Sequence, residues 1–444
     1  MPDPRSLFSG KRITVMGLGL LGRGLGDTLF LVRSGARVTV TDLKTAEQLA
    51  PSLNKLNGVP VTYRLGEHHP DDFINADMIL RNADVPRTSR FLKIATDHGV
   101  PVEMDESLFC KHYEGTVIGI TGTRGKTTTT TLVHRILSRQ TRRAYLAGNI
   151  MGHATLPLLG TAAKEDVVVL ELSSWQLQGF HDSRISPHAS VFTNVYPDHL
   201  NRYASMQEYI EDKKAIFRYQ TNGDFCLFNG DQAETAAMAG EAPAAAEFFR
   251  TSDVPPEWDV RVPGLHNRQN IAAAIRLTRK LGVPEIVVRE QVERFSGVEH
   301  RLQSLGDKDG IGFINDSTST TPVAGCAALD AIEGHGILLI AGGSDKNLDL
   351  QPFADAAATK CRKIALLRGT ATDALHEGIR KAGGTHAVIG VFDDLRDAVR
   401  SLYEQAVPDD VILLSPGCAS FGLFQNEFHR GESFVTIVEE IMSE

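Results

Sequence analysis

The chain has 444 residues, of which 42% are hydrophobic and 23% charged, and it carries a formal net charge of −9. That length suits about three domains, and the acidic balance leaves no basic surplus to neutralise a phosphate backbone, so no nucleic-acid partner is expected. No apolar run approaches the ~18 residues of a membrane-spanning helix, Met-Pro-Asp-Pro-Arg at the start lacks a signal-peptide core, and the five cysteines (Cys110, Cys226, Cys326, Cys361, Cys418) show neither a C-x-x-C pair nor a zinc spacing; the reading is a cytoplasmic protein with reduced thiols and no membrane insertion.

Residues 12–16 predict a short buried strand, followed by Gly17-Leu-Gly19-Leu-Leu-Gly22 and an amphipathic stretch to Ser34. A second strand from Arg37 to Thr41 ends at Asp42, which completes a βαβ unit with a G-x-G-x-x-G turn and an acid at the next strand end. The residues leave three readings open: a nicotinamide dinucleotide held as in a dehydrogenase, a tight structural turn, or another nucleotide-containing ligand in the same crevice. Apolar runs at 77–81 and 100–103 extend a parallel sheet that closes near residue 108.

The next strand, 116–120, runs into Gly122-Thr123-Arg124-Gly125-Lys126-Thr127-Thr128. A glycine turn that opens a helix with Lys and Thr aims backbone N–H groups, an ammonium and a hydroxyl at a phosphate and its Mg²⁺. The match to G-x-x-x-x-G-K-[ST] is imperfect, because Ile120 stands where the first glycine belongs. Strands are predicted at 166–172 and 189–195. Glu171 at the first strand end is placed for a Mg²⁺ ligand, and Asn194-Val-Tyr-Pro-Asp198-His199 closes the second. Lys213 and Lys214, on a predicted helix 206–218, read as solvated surface lysines. The segment 230–262 is rich in Ala, Glu and Pro and carries no clear pattern, whereas Gly264-Leu-His-Asn267 precedes a helix with Ile271, Ala274, Ile275 and Leu277 on one face.

Five further strands, 311–314, 337–341, 363–367, 387–391 and 410–414, alternate with helical stretches. Three polar clusters, Asn315-Asp316-Ser317, Gly342-Gly-Ser-Asp-Lys346 and Ser415-Pro-Gly-Cys-Ala-Ser420, fall at strand carboxyl ends and predict one shared crevice.

Together the motifs Gly-Thr-Arg-Gly-Lys-Thr, Glu171-Leu-Ser-Ser-Trp-Gln-Leu, Asp198-His-Leu-Asn-Arg-Tyr, His300-Arg301 and Leu-Ser-Pro-Gly-Cys-Ala-Ser resemble those of the Mur ligases, ATP-dependent amide-forming enzymes of peptidoglycan synthesis. The resemblance runs from the Gly17 loop to Phe428 and is nearest to the members that add glutamate to UDP-N-acetylmuramoyl-L-alanine. It implies an α/β chain of three domains: a Rossmann-like UDP-binding domain (1–108), a central P-loop ATPase-type domain (109–299) and a Rossmann-like glutamate-binding domain (300–444). It also implies the shorter phosphate loop; a monomer is expected.

By the same resemblance, Gly17, Gly19, Leu20, Leu21 and Asp42 hold the UDP substrate. Residues Gly122, Thr123, Arg124, Gly125, Lys126, Thr127 and Thr128 hold ATP, with Asn267 and Asn270 at the adenine and Arg301 and Asp316 closing from the third domain. Thr127, Glu171 and His199 would hold two Mg²⁺ ions, joined by Lys214, which matches the lysine this family carbamylates. Lys126, Asn149, His199 and Lys214 would be the catalytic set, and Thr320, Lys346 and Ser420 would bind glutamate. The implied reaction is attack of the substrate carboxylate on the γ-phosphate of ATP, followed by attack of the glutamate amine on the acyl phosphate. The chain departs from the family pattern Asn-Asp-Ser-Lys-Ala-Thr-Asn at Thr318, where the lysine is missing, and has Glu427 where an aromatic residue is expected, with Phe428 one position on. Both changes lie at the amino-acid end, so L-glutamate stands beside D-glutamate, the family default. A nicotinamide dehydrogenase and a non-catalytic nucleotide-binding protein are the readings from other classes.

Overall fold

The computed structural model describes residues 3–20, 22–150, 153–198, 202–332, 334–346 and 348–444. Two residues expected to bind ligands, Leu21 and His199, lie outside the described residues. The chain forms two compact units, Met1–Pro255 with Gln269–Val288, and Pro256–Arg268 with Arg289–Glu444.

The first unit holds two parallel sheets. One comprises β1 (Arg12–Met16), β2 (Arg37–Asp42), β3 (Val61–Leu65), β4 (Met78–Arg81) and β5 (Val102–Glu103), in the order β3-β2-β1-β4-β5. The other comprises β6 (Thr116–Thr121), β7 (Ala144–Gly148), β8 (Val167–Glu171), β9 (Ala189–Phe192), β10 (Phe225–Asn229) and β11 (Ala245–Phe249), in the order β11-β10-β9-β6-β8-β7. In both sheets the glycine-rich loop leaves the strand beside which the strand order reverses, the position at which an open parallel sheet leaves a crevice. The two sheets share one apolar core. It runs from Val15 and Val40 through Leu108 and Phe109 to Leu172 and Phe192.

The second unit holds β12 (Gln303–Lys308), β13 (Ile311–Asn315), β14 (Gly336–Gly342), β15 (Cys361–Leu367), β16 (Val388–Phe392) and β17 (Asp410–Leu414), in the order β12-β13-β17-β14-β15-β16. All pairs are parallel except β12 with β13. Side chains of β14 alternate between two cores: Ile337, Leu339 and Ala341 pack on one face, Leu338 and Ile340 on the other. Central strands buried on both faces, such as Val-Val-Val-Leu-Glu in β8 and Asp-Val-Ile-Leu-Leu in β17, are the continuous apolar runs that a covered parallel sheet requires.

The structure departs from the sequence expectations at the edges and at one strand end. The segment 230–262 contains a helix, Ala233–Met238, and the edge strand β11. Strand β9 stops at Phe192 rather than at 195, because Thr193 and Asn194 turn to support the phosphate loop.

Candidate active site

The phosphate loop is shaped by what its glycines exclude. Gly122 has a φ of +148°, and a Cβ there would lie 1.9 Å from Thr193 Oγ1; Gly125 has a φ of +78°, and a Cβ there would lie 2.0 Å from Asn270 Oδ1. Gly125 is the left-handed cap of the helix Lys126–Leu137, which has no side-chain cap at its start, so its positive end is presented to the loop. Asn194 holds the loop from behind. Its backbone oxygen accepts from Thr123 N at 2.9 Å and its Oδ1 from Arg124 N at 2.8 Å, while its Nδ2 donates to Arg124 O at 3.1 Å. Thr193 Oγ1 donates to the same carbonyl at 2.7 Å. Sequence reasoning did not single out this support as such; its signal was a Thr-Asn pair at a strand end next to the loop. Thr128 is buried in the helix that follows.

Glu171 ends β8, paired with Ile120 of β6, one strand from the loop. It is 2% exposed. Oε1 accepts from Asn149 Nδ2 at 2.9 Å, whereas Oε2 is buried with no hydrogen-bond partner among the described residues. Asn149 is locked in place by its own N–H, which donates to Glu171 O at 2.8 Å. The exit from Glu171 is fixed by a reciprocal cap, Ser173 with Gln176, at the start of the helix Ser174–Ser183. An orphaned buried carboxylate oxygen is costly, and it is the hard oxygen donor that Mg²⁺ takes. Among the described residues no three His, Cys, Asp or Glu side chains lie close enough to hold a metal by themselves. The residue that fits Mg²⁺ here is Glu171, through its unpartnered Oε2.

The lysine pair is corrected by the structure. Lys213, 1% exposed, reaches the loop: its Nζ donates to Gly122 O at 2.8 Å and lies 4.8 Å from the centre of the Tyr209 ring. Lys214 turns away and pairs with Glu241 at 2.7 Å and Glu211 at 3.0 Å. Adjacent helical residues diverge by about 100°, and the face towards the loop is set by Tyr209, four residues before Lys213, whose hydroxyl lies 3.1 Å from Thr123 Oγ1. Neither lysine is the solvated surface residue its composition suggested; both are buried. Burial, reinforced by the charge of Lys126, holds the Lys213 ammonium well below the usual lysine range.

In the first sheet, Gly17, Gly19, Asp42, Lys44, His68 and Asn82 line a cavity of about 490 Å³. Leu20 and Leu43 are exposed in the loops that follow β1 and β2. Asp42 braces the loop: Oδ2 accepts from Leu18 N at 2.9 Å and Gly19 N at 3.3 Å, and Oδ1 from Lys44 N at 2.9 Å. Sequence reasoning missed Lys44, His68 and Asn82, which come from loops with no motif of their own.

In the second unit, the three polar clusters follow the adjacent strands β13, β17 and β14, which brings them together as expected. Ser344 and Ala419 bridge the last two clusters. Lys346 Nζ donates to Thr320 Oγ1 at 2.9 Å, and Ser420 Oγ is buried with no partner among the described residues. Asp316 is buried, and its carboxylate accepts from Ser415 Oγ at 2.9 Å and Leu302 N at 3.1 Å. It therefore holds the turn that carries Arg301. Thr318 Oγ1 donates to His300 O at 2.8 Å, and Phe428 meets the His300 ring edge-on. Asn267, in this unit, donates to Pro263 O at 2.7 Å, whereas Asn270 belongs to the first unit beside Gly125.

The Mur ligase middle domain model matches residues 120–253, and the Mur ligase, glutamate ligase domain model matches residues 300–418. The UDP-N-acetylmuramoylalanine–D-glutamate ligase of Roseiflexus sp. (strain RS-1) is 40% identical over 97% of this chain and 99% of its own. The chain belongs to the Mur ligase family. A ligase of the same name from Symbiobacterium thermophilum is 36% identical over 97% of this chain and 98% of its own. Two solved Mur ligases share the fold. UDP-N-acetylmuramate–alanine ligase MurC of Thermotoga maritima has a TM-score of 0.60 at 19% identity, covering 98% of this chain and 99% of its own. MurF of the same organism, in complex with ADP, has a TM-score of 0.57 at 17% identity, covering 100% and 99%.

Within this Mur ligase, Asp316 gives a measurable pH signature. Burial pushes its carboxyl up to about 7 from an ordinary 3.8. A raised acid binds more protons folded than unfolded, so its contribution to stability is largest at low pH and falls as pH rises from about 4 to about 7, by at most about 1.4 kcal/mol per unit. Thermal unfolding of the wild type and Asp316→Asn should converge near pH 4.5, with the variant gaining relative to the wild type towards pH 8.

Proposed function

We propose that this Mur ligase joins D-glutamate to UDP-N-acetylmuramoyl-L-alanine, consuming ATP, in peptidoglycan precursor synthesis. The observation that carries this reading is full-length similarity to ligases of that name, 40% and 36% identical. The site geometry supplies the chemistry. The substrate carboxylate attacks the γ-phosphorus, the bond to the bridging oxygen breaks and ADP departs. The glutamate amine then attacks the acyl carbon, its C–O bond to phosphate breaks, and the amine loses a proton.

This chain's residues contribute charge and position rather than covalent chemistry. Lys126 and the start of its helix take the ATP phosphates. Asn270 borders the phosphate loop at Gly125, and it and Asn267 are the proposed adenine contacts. Arg301, on the turn that Asp316 holds through Leu302 N, would contribute a cation to nucleotide binding. Thr127, Glu171 and Lys213 as its carbamate would hold Mg²⁺, two ions in this reading, and His199 joins them from outside the described residues; when bound, the metal neutralises phosphate charge. Asn149 orients Glu171. The Lys213 assignment replaces Lys214: a buried amine depleted of its proton attacks CO₂, forming an N–C bond and releasing a proton, and the resulting anion balances Lys126.

Gly17, Gly19, Leu20 and Asp42 border the UDP end, with Leu21, outside the described residues, a further candidate, and Thr320, Lys346 and Ser420 bind the glutamate carboxylates. By the same proposal the chain divides at 108 and 299, acts as a monomer and works in the cytoplasm; among the described residues no helix is long and apolar enough to cross a membrane.

Phosphate release with ATP, Mg²⁺ and UDP-N-acetylmuramoyl-L-alanine should require D-glutamate. Release with L-glutamate instead would mean that the Thr318 and Glu427 changes rebuilt the amino-acid pocket, and silence with both would refute the ligase reading. Lys126→Ala should lower turnover by on the order of 10³ while UDP-substrate binding, measured by calorimetry, persists. Lys213→Ala should lower turnover by on the order of 10² and abolish a carbamate signal in ¹³C NMR with labelled bicarbonate; Lys214→Ala should preserve both, and the opposite pattern would restore Lys214.

A further inference from the structure

The largest of the fully buried side chains is a cation. Arg430, in the helix Glu427–Ser443, is 1% exposed and makes no ion pair among the described residues. Its hydrogen bonds go instead to two loops. Nε donates to Ser317 Oγ at 3.0 Å and Nη2 to Ser317 O at 2.8 Å, while Nη1 and Nη2 approach Cys418 O at 3.4 and 3.5 Å. Ser317 Oγ in turn donates to Glu427 O at 2.7 Å, which ties the helix start to the same point.

These are the loops that bear Thr320, three residues beyond Ser317, and Ser420, two beyond Cys418. Lys346 already sits on Thr320, and Ser420 Oγ has no partner among the described residues. A buried guanidinium with hydrogen bonds but no carboxylate is half of a charge arrangement, because burying an ion without a counter-charge is strongly unfavourable. The acids that face it are Glu427, on its own helix, and Asp316, after β13. Asp316 spends its oxygens on Ser415 and Leu302.

We propose that Arg430 is a positioning residue for the amino-acid substrate. It clamps the Ser317 and Cys418 loops together and gives the crevice a standing positive potential, and the substrate carboxylates supply the counter-charge that the protein lacks. This rests on the reading that glutamate binds at Thr320, Lys346 and Ser420.

The test is steady-state phosphate release by the full-length enzyme with each substrate varied in turn. Arg430→Gln, which keeps a donor and removes the charge, should raise KM for glutamate by about tenfold or more, with KM for ATP and the UDP substrate moving less than about threefold. Arg430→Lys, which restores charge without the fork, should recover part of that loss and leave the rest, because a lysine cannot bridge both loops. Equal increases in all three KM values, or failure of the lysine variant to recover, would reduce Arg430 to a structural bolt and overturn the proposal. Should Arg430→Gln not fold, Ser317→Ala keeps the cation and removes one acceptor. It should raise KM for glutamate alone by about threefold, and an unchanged value would overturn the clamp. A wild type silent with glutamate would instead remove the underlying functional reading.

Discussion

Two ammonium groups meet on one carbonyl oxygen. Lys126 donates to Gly122 O at 3.1 Å and Lys213 donates to it at 2.8 Å, in a pocket where Lys213 is almost wholly shielded from water. Like charges that close in a low dielectric repel strongly, and together with burial this weakens the hold of Lys213 on its proton, against the opposing pull of Asp198, Glu171 and Asp212. A lysine in that setting is a better nucleophile than one in water, and the proposed carbamate follows from it. The glycines at 122 and 125 make the convergence geometrically possible, since any side chain there would strike Thr193 or Asn270.

The second unit meets the same electrostatic problem with a different residue. Arg430 cannot lose its proton as a lysine does, so its charge is permanent and is spread over the carbonyls of Ser317 and Cys418. A lysine suits a site that must be modified or switched, whereas an arginine suits one that must remain cationic while substrates come and go.

Much of this was legible in the sequence where chemistry and topology coincide. The Gly17 and Gly122 loops, Glu171 and the three polar clusters of the third sheet all lie at the carboxyl ends of strands whose apolar runs are plain. What was hidden depends on rotation and tertiary burial. The choice between Lys213 and Lys214 turns on the phase of one helix, which Tyr209, buried and four residues earlier, fixes; that i, i+4 pair was the available signal. Asp42 reads as a ligand-binding acid because its place in the βαβ pattern is right; what the pattern does not show is that its oxygens also brace the backbone of the Gly17 loop and of Lys44. The half-exposed edges β3 and β12, Val-Thr-Tyr-Arg-Leu and Gln-Ser-Leu-Gly-Asp-Lys, lack the apolar run that marks the central strands.

The net charge of −9 also acquires a local meaning. Substrates that carry phosphates and carboxylates are repelled by an acidic surface at long range, and at physiological salt that field decays within about 8 Å. Inside the crevices the balance inverts, because Lys213 in the first unit and Arg430 in the second are each kept from solvent beside a loop, with Lys126 half-buried next to Lys213, and a buried charge acts through a lower dielectric than a surface carboxylate. An acidic exterior over cationic crevices discriminates against long polyanions, which must lie along the surface, and admits short ones that fit wholly inside. The same composition that excluded nucleic acid is therefore consistent with small anionic substrates, and the distinction rests on where the basic residues are buried rather than on how many there are.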